Sequence, residues 1–192
     1  MENDLQIIRD KISKCRLCRL CEGTTNSVPG EGSSRAEVMF IGEAPGKAED
    51  LQGMPFVGAA GKFLAVMLKE IGMEREDVFI TNIVKHRPPD NRDPLEDEVE
   101  ACFPYLDAQI NAIKPKLIVT LGRHAMHRFM PDLKISDVHG CDKRVKSIFS
   151  KKQIILPLYH PASALYNPSM RSTLISDMKK IPILLKKIND AS

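Results

Sequence analysis

The chain has 192 residues, of which 43% are apolar and 28% charged, with a formal net charge of +3. This is the composition of a globular protein with room for one sizeable core, and it excludes a disordered or fibrous chain. The absence of any apolar run of about 18 residues excludes a membrane-spanning helix, and the small basic excess is compatible with a nucleic-acid partner without requiring one.

Residues 4–14 carry Leu5, Ile7, Ile8 and Ile12 at helical spacing. Cys15-Arg-Leu-Cys18-Arg-Leu-Cys21 follows, and then a Gly, Ser, Thr and Pro-rich loop over 22–36. The apolar run Val38-Met-Phe-Ile41 predicts a first strand over 37–41. It stops in Gly42-Glu-Ala-Pro-Gly46, which opens a loop reaching to 57. Leu64, Met67, Leu68 and Ile71 predict a helix over 58–72, with Gly72 as its C-cap. A second strand is expected over about 77–84, followed by an irregular loop from His86 to Pro94. Asp93-Pro94 reads as the N-cap and first position of a helix running to about Ile113. A third strand covers 116–121, and a helix runs from Gly122 to about Phe129. Residues 131–150 are polar and irregular, with room for a hairpin. The fourth strand is 153–158, the loop after it holds Tyr159-His160-Pro-Ala-Ser, and the last helix, 171–188, is interrupted near Pro182.

Strands alternating with helices predict a single α/β domain over 1–192. Its form is a three-layer α/β/α sandwich around a central, mostly parallel four-stranded sheet. Right-handed crossovers bring the loops after the strands to one edge, where such a sheet opens its ligand crevice. Those loops hold Glu43, Phe56, Asn82, His86, Gly122 and His160.

The acidic, mixed start Met-Glu-Asn-Asp lacks the basic and apolar regions of a signal peptide, so a reducing cytoplasm is expected. Five cysteines there are metal ligands or buried thiols rather than disulfides. The Cys15, Cys18, Cys21 spacing suits a metal or iron–sulfur site and equally suits thiols buried on a helix; the Cys-Pro that closes a ferredoxin run is missing. Asn82, at a strand end, offers a donor and an acceptor to a ligand or to its own turn. His160 precedes a proline and is held extended. Phe56 lies in a Gly and Pro-rich loop, where an exposed aromatic is unusual. His124 and His127 share a helix face and read as surface or packing residues. Gly42-Glu-Ala-Pro-Gly46 has no Lys-Ser/Thr pair, and no G-x-G-x-x-G occurs, which argues against nucleoside triphosphates and dinucleotides as ligands.

In order along the chain, the segments Cys15-x-x-Cys18, Gly42-Glu-Ala-Pro-Gly46 with Glu49-Asp50, Pro55-Phe-Val-Gly58-x-x-Gly61, Thr81-Asn-Ile-Val-Lys85, Arg87-Pro-Pro with Asn91-Arg-Asp-Pro94, Cys102 and His160-Pro-Ala-Ser form one ordered set. This set resembles the family 4 uracil-DNA glycosylases, the iron–sulfur type of archaea and bacteria. The resemblance implies base excision repair: the enzyme flips uracil out of single- or double-stranded DNA and hydrolyses its N-glycosidic bond.

It also implies roles for particular residues. Phe56 would stack on the base, Asn82 would read its Watson–Crick edge, and Glu49 would lie near C5. Gly42, Glu43 and Ala44 would line the pocket and hold water near the sugar, His160 would donate to O2, and Glu43, Asn82 and His160 would be the catalytic residues. Leu165 and Tyr166 would fill the gap in the stack, and Lys85, Arg87 and Arg171 would contact phosphates. Better-known uracil glycosylases carry a water-activating Asp at the position of Ala44, so the general base is left unassigned. A [4Fe-4S] cluster would be held by Cys15, Cys18, Cys102 and His86, with residues 1–36 as its binding segment and Cys21 or Cys141 as the alternative to His86. A monomer in the cytoplasm, associated with the nucleoid and with repair or replication proteins, completes that picture. The alternatives are a relative that captures uracil in DNA, covalently or without turnover, and, far behind, a small iron–sulfur electron carrier.

Overall fold

The computed structural model describes residues 2–146 and 152–191. Its sheet has six strands in the order β1-β3-β2-β4-β6-β5. The four predicted parallel strands are its centre: β2 (Val38–Gly42), β3 (Phe79–Asn82), β4 (Leu117–Leu121) and β6 (Lys152–Leu158). β2 and β4 are buried along their whole length, which is why they appear as unbroken apolar runs rather than alternating ones. The class is the expected α/β sandwich, with two short antiparallel strands added at the edges. β1 (Glu31–Gly32) pairs with β3, and β5 (Lys143–Lys146) forms a hairpin with β6. The hairpin uses the room left for one in 131–150; the end of that stretch lies outside the described residues.

Successive residues of β2 face opposite sides. Val38 and Phe40 join a core with Leu64, Met67, Leu174 and Ile181, supplied by α3 (Ala59–Lys69), α8 (Met170–Met178) and α9 (Lys180–Asp190). Met39 and Ile41 join a second core with Leu106, Ile110 and Met126, supplied by α4 (Glu96–Ile113) and α5 (Arg123–His127). α1 (Glu2–Ser13) packs on α4.

Several boundaries differ from the sequence reading. The loop after β2 contains a short helix, α2 (Lys47–Gln52). β3 stops at Asn82, yet Ile83 and Val84 still donate their N–H groups to the carbonyls of Gly42 and Glu43, at 2.9 and 3.2 Å. α4 starts at Glu96, not at Asp93-Pro94: the Glu98 carboxylate accepts the Leu95 N–H at 2.8 Å, and the Asp93 side chain turns to α5. The last helix is divided at Lys179, and Pro182 falls in the first turn of α9, where a missing N–H costs nothing.

Candidate active site

A cavity of about 300 Å³ opens at the carboxyl ends of β2, β3 and β6. Glu43, Ala44, Glu49, Phe56, Asn82 and His160 line it, as the sequence anticipates, and Pro88, Asn91 and Arg92 from the following loop close its other side. The floor depends on Gly42. A Cβ there would lie 2.4 Å from Asn82 Oδ1 and 2.6 Å from the Phe56 ring, so only glycine lets both side chains approach β2.

Phe56 is buried and has a φ of 52°, a left-handed conformation that a bulky residue adopts only when its surroundings impose it. The surroundings are charged. Arg75 donates to the Pro55 carbonyl at 2.7 Å and to the Phe56 carbonyl at 3.0 Å. Glu49 Oε1 accepts the N–H groups of Val57 and Gly58 at 3.0 and 2.9 Å. Gly61 leaves room for the resulting bend, since a Cβ there would sit 1.8 Å from the Phe56 carbonyl oxygen. Glu49 therefore lines the pocket and also ties down the aromatic loop.

Asn82 is buried, and its Oδ1 has no hydrogen-bond partner among the described residues. A buried unpaired amide oxygen costs about 1–3 kcal/mol, which marks it as an acceptor held for a ligand. His160 presents part of its ring to the cavity, with its centroid 5.7 Å from that of Phe56. Its Nδ1 accepts the Ala162 N–H at 3.1 Å, so in the neutral ring the proton sits on Nε2. Burial pushes the imidazole down to about 4, so it is an uncharged donor at neutral pH.

The sequence reading missed a group at the cavity mouth. His124 Nε2 lies 3.0 Å from Asp93 Oδ2 and 4.0 Å from Glu43 Oε2, and Arg123 Nη2 lies 3.0 Å from the same Asp93 oxygen. Burial raises the Glu43 carboxyl above its ordinary range, with Asp93 adding to the rise and His124 and Arg123 opposing it. The signal available in the sequence was the position of His124 directly after the turn at Gly122.

Comparison with known proteins agrees with this geometry. The pattern of the Uracil DNA glycosylase superfamily matches residues 29–181. A type-4 uracil-DNA glycosylase of Sulfurisphaera tokodaii is 52% identical over 93% of this chain and 84% of its own. One of Archaeoglobus fulgidus is 48% identical over 97% and 96%, and one of Thermotoga maritima is 39% identical over 97% of each. The chain belongs to the type-4 uracil-DNA glycosylases.

Within that family frame, the structure corrects one residue. Lys85, expected at phosphates, is buried, and its ammonium donates to Thr81 Oγ1, the Asn82 carbonyl and Gln109 Oε1 at 2.7, 2.7 and 2.8 Å. It cannot reach DNA, and instead it fixes the backbone that carries Asn82. Leu165 and Tyr166, on α7 (Ser163–Tyr166) just after His160, are exposed, Tyr166 by 89%. Arg171 is exposed, with its guanidinium 4.4 Å from the centre of the Phe63 ring. Arg87 is half-buried and donates to Asn91 Oδ1 at 2.7 Å.

Cys15, Cys18 and Cys102 come together at a second place in the fold. Cys18 and Cys102 both lie near Cys15, and burial pushes the Cys102 thiol up to about 11. The Lys85 N–H bonds to Cys102, one residue before His86 in the chain. His86 is buried, and burial and then the nearby Arg16 charge push its imidazole down, favouring the neutral ligating form. Two buried thiols, the half-buried Cys18 and one neutral imidazole are a donor set that suits a thiolate-bound iron–sulfur group. Cys21 adjoins Cys18, whereas Cys141 is exposed beside β5.

Proposed function

We propose that this chain is a uracil-DNA glycosylase that takes uracil, flipped out of DNA, into the cavity at the carboxyl edge of the sheet. It hydrolyses the bond between C1′ and N1 to leave an abasic site. The observation that carries this reading is the unpaired, buried Oδ1 of Asn82 in one small cavity with the neutral imidazole of His160. Uracil presents N3–H to Oδ1 and O4 to the amide nitrogen. Cytosine reverses both groups and would leave the buried amide mismatched, which such a site rejects strongly. Phe56 stacks on the base, Gly42 and Ala44 flank it, and Glu49 stands where a thymine methyl would enter.

As the glycosidic bond breaks, its electron pair moves onto N1 and O2 of the departing base. The Nε2–H of His160 meets that charge, an arrangement that is usually the largest catalytic contribution. Leu165 and Tyr166 occupy the vacated place in the stack, and Arg87 and Arg171 contact the flanking phosphates. Cys15, Cys18, Cys102 and His86 would hold a [4Fe-4S] cluster, which supplies a structural brace between the N-terminal segment and the loop after β3.

The test is uracil release from a uracil-containing oligonucleotide, read as strand cleavage after alkali. Release by the wild type, reduced about 100-fold or more in Asn82→Ala, agrees with the reading. An intact oligonucleotide overturns it.

A further inference from the structure

Loss of the Asp at Ala44 leaves the reaction without an assigned proton acceptor, and the cavity narrows the choice. Of its titratable groups, His160 spends Nδ1 on the Ala162 N–H, and Glu49 spends Oε1 on two backbone N–H groups. Arg92 is a cation bound in two places to the buried Glu98 carboxylate, at 2.6 and 2.8 Å. Glu43 remains. Its carboxylate is half-buried at the mouth, with His124 as its nearest ionic neighbour. We propose that His124, tethered by Asp93, is a positioning residue that keeps the Glu43 carboxylate ionised and aimed to take the proton of the attacking water. This deepens the glycosylase reading and rests on it.

The step balances. The water oxygen bonds to C1′, the C1′–N1 pair leaves with uracil as its anion, and the water proton goes to Glu43, which later returns it to solvent. Glu43 is faced by Arg123 and His124 from α5, by Asp93 from the loop before α4, and by Glu49, Arg92 and His160 within the cavity.

His124 has a partner for each protonation state. When neutral, Nε2 accepts from Arg123 Nε at 3.0 Å; when protonated, Nε2–H donates to Asp93 Oδ2 at 3.0 Å. The protonated form sets a positive charge 4.0 Å from Glu43 Oε2. That charge opposes the rise that burial imposes on the Glu43 carboxyl.

Single-turnover uracil release by wild type, His124→Gln and His124→Lys, measured from about pH 5 to pH 9, tests this. In His124→Gln the acid limb should move up by about one pH unit, a loss of about tenfold on that limb, and rates should converge with wild type at alkaline pH. His124→Lys, which keeps a cation, should return the limb toward the wild-type position. A His124→Gln profile that superimposes on wild type, or is lowered equally at every pH, overturns the inference, as does a His124→Lys limb as displaced as that of Gln. Failure of the wild type to release uracil overturns the glycosylase reading instead, so the two failures are distinct.

Discussion

Replacing His160 with Ala should slow uracil release by about 10²–10³-fold, equivalent to about 2.7–4 kcal/mol, the cost of removing one donor aimed at developing negative charge. The structure narrows what kind of donor is lost. With Nδ1 taken by the Ala162 N–H and the imidazole pushed by burial from 6.5 to about 4, His160 is neutral across the working range and donates only through Nε2. The loss should therefore be the same at every pH between about 6 and 8, with no inflection belonging to this residue. A stability change should accompany it. A histidine whose pKa is depressed in the fold gives stability that is complete above its unfolded value and is lost as pH falls through the folded value. The wild type should thus lose up to about 3 kcal/mol between about pH 6.5 and pH 4 from this residue alone, and His160→Ala should lose correspondingly less. Single-turnover kinetics and urea unfolding at both ends of that range measure the two effects. A rate loss under tenfold, or a wild-type inflection near 6.5 that disappears in His160→Ala, would refute a neutral donor.

Gly42→Ala should abolish release while preserving the fold, because the new methyl collides with Asn82 Oδ1 and the Phe56 ring; circular dichroism beside the activity assay checks this. Lys85→Met should destabilise the protein by about 1–3 kcal/mol through acceptors left unpaired, yet leave the salt dependence of DNA binding by the folded protein unchanged. Arg171→Ala should instead weaken binding and reduce that salt slope by about one. His86→Ala should lower the iron content of protein purified without oxygen, whereas Cys141→Ala should not; equal iron in wild type and His86→Ala would remove His86 from the ligand set.

The centre of the fold was legible because β2 and β4 are buried on both faces and so appear as uninterrupted apolar runs. Gly42, Phe56, Asn82 and His160 were legible because Gly and Pro punctuation marks the strand ends where they sit. The edge strands were not. β1 is two residues long, and the basic β5 has no alternation to reveal it. Lys85 was misread because its burial is decided by Gln109 and by the turn of the chain at Asn82, not by its neighbours in sequence. His124 was read as a surface or packing residue because Asp93 and Glu43, the groups that give it a task, come from other loops.

Lys85 shares a physical logic with the other charged residues around the cavity. The cavity is built from loops, whose backbone groups lack the ladder partners of a sheet and must find others. Charged side chains provide them: Arg75 for the carbonyls of Pro55 and Phe56, Glu49 for the N–H groups of Val57 and Gly58, and Lys85 for the Asn82 carbonyl. Asp50, the buried residue of α2, does the same for the N–H groups of Thr25 and Asn26. Each charge is held by several fixed dipoles, so the loops gain the rigidity of regular structure. That rigidity is what allows Asn82 Oδ1 to stay unpaired. A mobile loop would turn the amide toward some internal donor and recover the lost hydrogen bond. Here the backbone on either side is pinned, and the oxygen is left for the base. Recognition of uracil thus depends on charges that never touch it, and substitutions at Arg75 or Lys85 should erode discrimination against cytosine before they abolish binding.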